Sequence, residues 1–201
     1  MKENVLAQIV ARKPVLLVVS GPSGSGKDSV IAALRMVEPN IAYVVSATTR
    51  PPRPGEVEGE HYRFLNRDQF EKLAAAGEFI ETREYAGNLY GTPRRFVDEA
   101  VRSGRDVVLK PEVNGARAVK AAYPQAVLVF LTAPSDDALA QRLERRNTDT
   151  ADAIAVRLET ARREAGHAKD YDYLIVNDEL DKAVSRLSAI LTAEGLRVSR
   201  L

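Results

Sequence analysis

Gly21-Pro22-Ser23-Gly24-Ser25-Gly26-Lys27-Asp28-Ser29 is the stretch whose reading decides the fold. Val15-Leu16-Leu17-Val18-Val19-Ser20 precedes it, a short apolar run of the kind that forms a buried strand. Val30, Ile31, Leu34 and Val37 follow at spacings that suit one helix face. Strand, glycine-rich turn and helix, in that order, are the context a P-loop needs, the plainer alternative being a glycine-rich strand-to-helix turn with no ligand. Gly21, Gly24 and Gly26 allow backbone conformations and close approaches that a Cβ would hinder. The N–H groups of the turn can then cradle phosphate oxygens at the positive end of the helix. Lys27 would reach the outer phosphates as a mobile point charge. Taken alone, the motif specifies only a bound nucleoside triphosphate. One residue departs from it. The consensus puts a hydroxyl directly after the lysine, to hold magnesium, and here that position is Asp28. A carboxylate is a good hard ligand for that ion, so Asp28 is expected to carry or orient magnesium. Ser29, one residue further along a helix, is turned about 100° away.

The 201 residues suit a single domain with a real core. The chain is 45% hydrophobic and 28% charged, ordinary for a soluble globular protein. A net charge of +1 sets up no global field toward nucleic acid or membrane. With 0 Cys there are no disulfides or thiolate metal sites, which is compatible with the cytosol. His61 and His167 are the only histidines, too few for an all-protein zinc site. Met1 to Pro14 makes a poor secretory signal, and no apolar run approaches bilayer length.

Beyond the P-loop helix, Ile41 to Val45 reads as a second strand, and Ser46 to Glu56 as a loop punctuated by proline and glycine. His61-Tyr62-Arg63-Phe64 alternates as a half-exposed strand does. Asn66 is placed to cap a helix carrying Phe70, Leu73 and Ala74, which Gly77 ends. Glu78 to Tyr85 reads as a strand and Ala86 to Thr92 as a turn-rich loop. After this strand-rich insertion come a helix near Pro93 to Arg102, a strand over Asp106 to Leu109, and a helix through Ala116 to Ala122. A strand over Ala126 to Leu131 leads to a helix begun by Ser135. Arg145 to Thr150 interrupts that helix, and another runs from about Asp152 to Lys169. Tyr173 to Val176 and a helix through Val184, Leu187 and Leu191 close the chain. Strands alternating with helices, opening on a P-loop, argue for an open parallel sheet flanked by helices. In such sheets ligands bind beyond the carboxyl ends of the strands.

Several residues carry the chemistry. Arg50 and Arg53 share one loop, with Tyr62 and Tyr90 in the same insertion. Two guanidinium forks and two phenol hydroxyls can converge on a phosphate. The plainer alternative is two solvated arginines and two half-buried tyrosines, and residue types alone favour it. Glu81 lies in the apolar context Phe79-Ile80-Glu81. Its carboxylate can accept two adjacent donors, and guanine offers N1–H and N2–H side by side where adenine does not; an ordinary exposed strand residue is the alternative. Arg142, Arg145, Arg146 and Arg157 cluster around the helix break, with Arg142 and Arg146 on one face. Phosphoryl transfer needs positive charge on oxygens that gain charge in the transition state; a solvated basic helix is the alternative.

Taken together, the motifs resemble those of guanylate kinases, from Val15 to Leu191. The matching stretches are GPSGSGK, SATTRPPRPGE from Ser46, GEFIE followed by GNLYGTP, RLERRNTDT, and YDYLIVND from Tyr171. SATTRPPRPGE with GNLYGTP is far more specific than the P-loop. The resemblance implies an α/β P-loop kinase that transfers phosphoryl from ATP to GMP with Mg2+, in the cytoplasm, with no nucleic acid or membrane partner. It implies a core over 14–40, 93–140 and 158–195, a GMP-binding insertion over 41–92 and a lid over 141–157. Ser46, Glu81 and Thr92 would read the base. Arg50, Arg53, Tyr62 and Tyr90 would hold the acceptor phosphate, with Glu56 organising their loop and Glu112 beside them. Gly21 to Ser29 and Asn177 would hold ATP. Lys27, Arg50, Arg142, Arg146 and Arg157 would act on the transferred group. The chain departs from the family's pattern in three places. Asp28 replaces a hydroxyl residue, and Asn147 a lid glycine. Lys110-Pro111-Glu112-Val113-Asn114-Gly115 stands where the family has acidic-Ile-Asp-x-Gln-Gly, so an acidic residue has become Lys110 and an Asp has lengthened to Glu112. Two rival functions share some of these motifs: a ribose 1,5-bisphosphate phosphokinase, which resembles the chain at Gly-Lys-Asp-Ser, and a non-catalytic phosphopeptide-binding module of guanylate-kinase-like shape.

Overall fold

The computed structural model describes residues 12–85, 87–144 and 151–198, with side chains for all of these except 151–154. Five strands form the core sheet in the order β2-β7-β1-β8-β9, every neighbouring pair parallel. They are β1 (Leu16–Ser20), β2 (Ala42–Tyr43), β7 (Val107–Leu109), β8 (Val127–Thr132) and β9 (Tyr173–Val176). A parallel sheet covered on both faces needs strands that are apolar throughout, and β1, at its centre, is buried from end to end. Leu17 and Val19 face the cluster built with helices α1 (Lys27–Val37) and α7 (Leu180–Gly195). Leu16 and Val18, on the alternate register, face helices α3 (Arg94–Arg102) and α4 (Val113–Ala122). Helices α5 (Asp136–Glu144) and α6 (Ala151–Ala165) pack on each other through Leu139, Leu143, Leu158 and Ala161. Among the described residues no helix is long and apolar enough to cross a membrane.

A second sheet, ordered β4-β3-β6-β5, forms the insertion: β3 (Ala47–Thr48), β4 (Arg63–Phe64), β5 (Phe79–Tyr85) and β6 (Asn88–Pro93). Helix α2 (Arg67–Ala75) covers it, with Phe70 stacked on Phe79 at 4.5 Å between ring centroids. Asn66 caps α2 as expected: its side chain accepts from the Gln69 backbone at 2.8 Å, and Gln69 reaches back to the Asn66 N–H. Gly77 follows the helix at φ 72°.

The structure corrects two boundaries. Residues 88–92 are not a loop, because β6 occupies Asn88–Pro93 and pairs antiparallel with both β5 and β3. Gly91 misled the reading. It is no turn glycine: a Cβ there would stand 2.9 Å from Phe79 Cδ1 and 3.1 Å from Phe70 Cζ, so its bareness lets a strand lie against two stacked rings. Residue 41 does not begin the insertion either. Ala42 and Tyr43 pair with Val107 and Val108, so β2 is the edge strand of the core sheet, and the second sheet begins at Ala47. Arg145 to Thr150, including the expected lid residues Arg146 and Asn147, lie outside the described residues.

Candidate active site

The polar side chains gather beyond the carboxyl ends of the core strands. Strand β1 runs into residues 21–26, and α1 starts at Lys27. Gly26 sits at the helix N-terminus at φ 92°, where an added Cβ would collide with the Asn177 side chain. Asn177, just past β9, is buried and donates Nδ2–H to Ser25 O at 2.8 Å. Arg142 of α5 donates to Asn177 O at 2.7 Å and to Ser25 O at 3.4 Å. Arg157 of α6 donates to Ser23 Oγ at 2.6 Å. The helix pair thus lays two guanidinium groups on the glycine-rich loop. Ser25 Oγ is buried with no hydrogen-bond partner among the described residues. A buried polar group left so costs about 1–3 kcal/mol, which a phosphate oxygen in the loop would relieve.

Lys27 donates from Nζ to Gly21 O at 2.6 Å and Pro22 O at 2.9 Å, folding back over its own loop. Burial pulls its pKa down to about 8, and the positive charge of Lys110 adds to the effect. An anionic ligand would act in the opposite sense and restore the ammonium.

In the second sheet, Thr92 of β6 donates Oγ–H to Glu81 Oε1 of β5 at 2.7 Å. Burial raises the Glu81 pKa, and the Thr92 hydroxyl works against that shift. Gly115 of α4 makes room for this carboxylate: a Cβ there would lie 3.2 Å from Glu81 Oε2 and 2.9 Å from Pro111 Cβ. Arg50 is held on its loop by Glu56 at 2.8 Å and by Pro51 O at 2.7 Å. Its guanidinium lies over Tyr62 at 5.4 Å and Phe64 at 5.9 Å from the ring centroids. Glu56 also accepts the Arg53 N–H at 2.7 Å, and the Arg50 guanidinium is the main cause of its lowered pKa. Tyr62 meets Tyr90 edge-on at 6.1 Å. A carboxylate–hydroxyl pair in one place and, in another, an arginine over the Tyr62 ring, which meets Tyr90, suit a guanine base and its phosphate.

The guanylate kinase family model matches residues 12–194, nearly the whole chain. The chain belongs to the guanylate kinase family. It is 47% identical to the guanylate kinase of Carboxydothermus hydrogenoformans over 94% of this chain and 93% of that one. It is 48% identical to that of Symbiobacterium thermophilum over 94% and 89%. The crystal structure of guanylate kinase from Anaplasma phagocytophilum superposes with a TM-score of 0.76 at 35% identity, covering 92% of this chain and 88% of that one. A shikimate kinase from Bacteroides thetaiotaomicron, at 18% identity and a TM-score of 0.50 over 89% and 98%, shares the core fold alone.

Within this guanylate kinase frame, the structure brings Glu81 and Thr92 together, and likewise Arg50, Glu56, Tyr62 and Tyr90. Other expected residues are placed less centrally. Arg53 and Ser29 are exposed, and Ser46 is half-buried in the strand approach, its carbonyl accepting from Arg63 N. Glu112 is ion-paired with Arg83. Arg83 was missed by the sequence reading, although it lies two residues from Glu81 on the same strand and its charge acts on that carboxylate. It also stands over the Tyr90 ring at 4.8 Å. Gly115 and Glu164 were missed as well. Glu164, half-buried on α6, has its pKa raised by burial, with Glu112 nearby adding to the effect.

Asp28, expected to carry or orient magnesium, stands beside a lysine. Its carboxylate is 65% exposed and ion-paired with Lys110, which follows β7. Among the described residues no group of three Asp, Glu or His is placed to hold a metal ion. With Asp28 neutralised and a lysine beside it, this part of the chain does not fit a protein-held cation.

Proposed function

We propose that this guanylate kinase family member is a working kinase that transfers the terminal phosphoryl group of ATP to GMP, giving ADP and GDP. The observation that carries the reading is the Glu81–Thr92 pair at 2.7 Å, with Glu81 half-buried and Thr92 buried. A carboxylate there accepts guanine N1–H and N2–H, and adenine offers it no such pair. The acceptor phosphate rests against Arg50, Tyr62 and Tyr90, while Glu56 keeps Arg50 and its loop in register. The donor triphosphate lies in residues 21–29, its outer phosphates met by Lys27. Arg142 and Arg157, already on that loop, face the group in flight. A phosphate oxygen of GMP attacks the terminal phosphorus in line. The bond to that phosphorus forms as the bridge to the ADP oxygen breaks, and the charge stays on oxygens that the arginines and lysine surround. Intact Lys27 and the two loop-bound arginines support catalysis over a peptide-binding role.

Magnesium enters this reading as part of the donor, since the ion is commonly held through substrate phosphates and water. A coupled assay offering GMP, AMP, UMP and ribose 1,5-bisphosphate tests the proposal. Turnover with GMP well above the rest is expected. Preference for the sugar bisphosphate, or no turnover with any acceptor, overturns it.

A further inference from the structure

Two departures from the family's pattern meet in space. Lys110 leaves the end of β7 directly beside β1, because Leu109 pairs with Val18, three residues before the P-loop begins. Its ammonium is ion-paired with Asp28, on the first turn of α1, 82 residues away in sequence. The Lys110 side chain is only 17% exposed. The same ammonium lies 5.8 Å from the centre of the Tyr62 ring, on the side where the acceptor phosphate is placed. Burial disfavours its charge, yet Tyr43 and Asp28 beside it more than compensate, so Lys110 stays protonated. P-loop enzymes hold their metal between the hydroxyl that follows the P-loop lysine and an acidic residue on a neighbouring strand. Here the first position is an acid, the second is a lysine, and the two neutralise each other.

We propose that Lys110, aimed by Asp28, is a phosphate-binding residue that takes over the charge neutralisation a protein-held metal would supply, so that nucleotide binds this kinase with little dependence on divalent cation. The inference rests on the kinase reading above. Lys110 stands between Lys27 and Tyr62, where a single ammonium reaches oxygens of both the donor and the acceptor. Asp28 accepts one of the three ammonium donors and leaves the others for phosphate, so the pair stays together as the nucleotide enters. Lysine serves this role as a compact charge with three donors and no fixed geometry.

Isothermal titration of ADP into the full chain tests this, once in excess EDTA and once in excess magnesium. The wild-type dissociation constant should change by less than about threefold between the two conditions. Lys110→Met should lose about tenfold or more of the metal-free affinity, the order expected for one charge-assisted contact to phosphate. The double variant Asp28→Ser, Lys110→Asp should bind ADP at least about tenfold better with magnesium than without. A wild-type affinity that collapses in EDTA overturns the proposal, and this arm needs no variant to fold. Metal-free ADP binding by Lys110→Met that equals the wild type's also overturns it. GMP titrated in the same buffers reports separately on the kinase reading, because failure to bind GMP would undo that reading while leaving the ADP comparison interpretable.

Discussion

Replacing Glu81 by glutamine separates base recognition from every other part of this site. The carboxylate already accepts the Thr92 hydroxyl at 2.7 Å through Oε1, and its Oε2 lies against Gly115. Both oxygens can accept, so both guanine donors can be met. An amide keeps one acceptor and turns the other position into a donor facing a donor. One charge-assisted hydrogen bond is lost and the other becomes neutral, a loss of about 2–4 kcal/mol. At 1.4 kcal/mol per factor of ten that is roughly 30- to 700-fold in kcat/KM for GMP. Stability should move the other way. Burial raises the Glu81 pKa, which means the folded protein disfavours its charged form. Glutamine removes that charge, so the melting temperature should hold or rise at neutral pH. The assay is steady-state kinetics with each substrate varied in turn, alongside a thermal melt. GMP turnover that survives unchanged would falsify the assignment. A loss of ATP affinity together with a lower melting temperature would mean that Glu81 is structural.

Three further outcomes follow from the same geometry. The GMP KM should rise on acidification, beginning at a higher pH than an ordinary glutamate would give, because a protonated Glu81 cannot accept both guanine donors; the ATP KM should stay flat over that range, and a parallel rise in both would refute the assignment. Arg50→Ala should raise the GMP KM and lower kcat by about ten- to a hundredfold, with Arg50→Lys failing to rescue it because a point charge cannot replace a fork held by Glu56 and Pro51; wild-type rates in either variant would reduce Arg50 to a surface charge. Gly115→Ala gains up to about 1 kcal/mol of helix propensity but crowds Pro111 and Glu81, so the GMP KM should increase while the ATP KM holds; equal kinetics would show that Glu81 tolerates the displacement.

The core was legible because its signals are local. A strand buried on both faces must be apolar throughout, and β1, β7 and β8 announce themselves that way. The Asn66 cap was legible for the same reason: donor and acceptor lie three residues apart. The hairpin strand β6 was not. Asn88, Gly91 and Pro93 are turn residues by type, and only the stacked Phe70 and Phe79 rings explain why a glycine is needed in a strand there. Arg83 and Gly115 were hidden for a related reason. Each matters through a neighbour, Arg83 through Glu112 and Gly115 through Glu81, and those neighbours are remote in the chain.

Asp28 and Lys110 carry the same lesson further. Read singly, each is a defect. An acid beside triphosphate oxygens repels them, and a lysine in place of an acid removes a ligand. The sequence reading resolved the first conflict by giving Asp28 a metal, the nearest positive charge it could supply. The structure supplies that charge from the protein itself, across 82 residues. The exchange is balanced, because the lysine brings the positive charge that a cation would have brought. Asp28 also gains by standing in the first turn of α1, where the helix end favours an anion. Neither change is tolerable alone. Asp28 without Lys110 leaves a carboxylate facing phosphates, and Lys110 without Asp28 leaves an ammonium beside Lys27, whose pKa it already depresses. Substituting one residue alone should therefore harm nucleotide binding more than exchanging both, and that non-additivity is a direct measure of how far the two act as a unit.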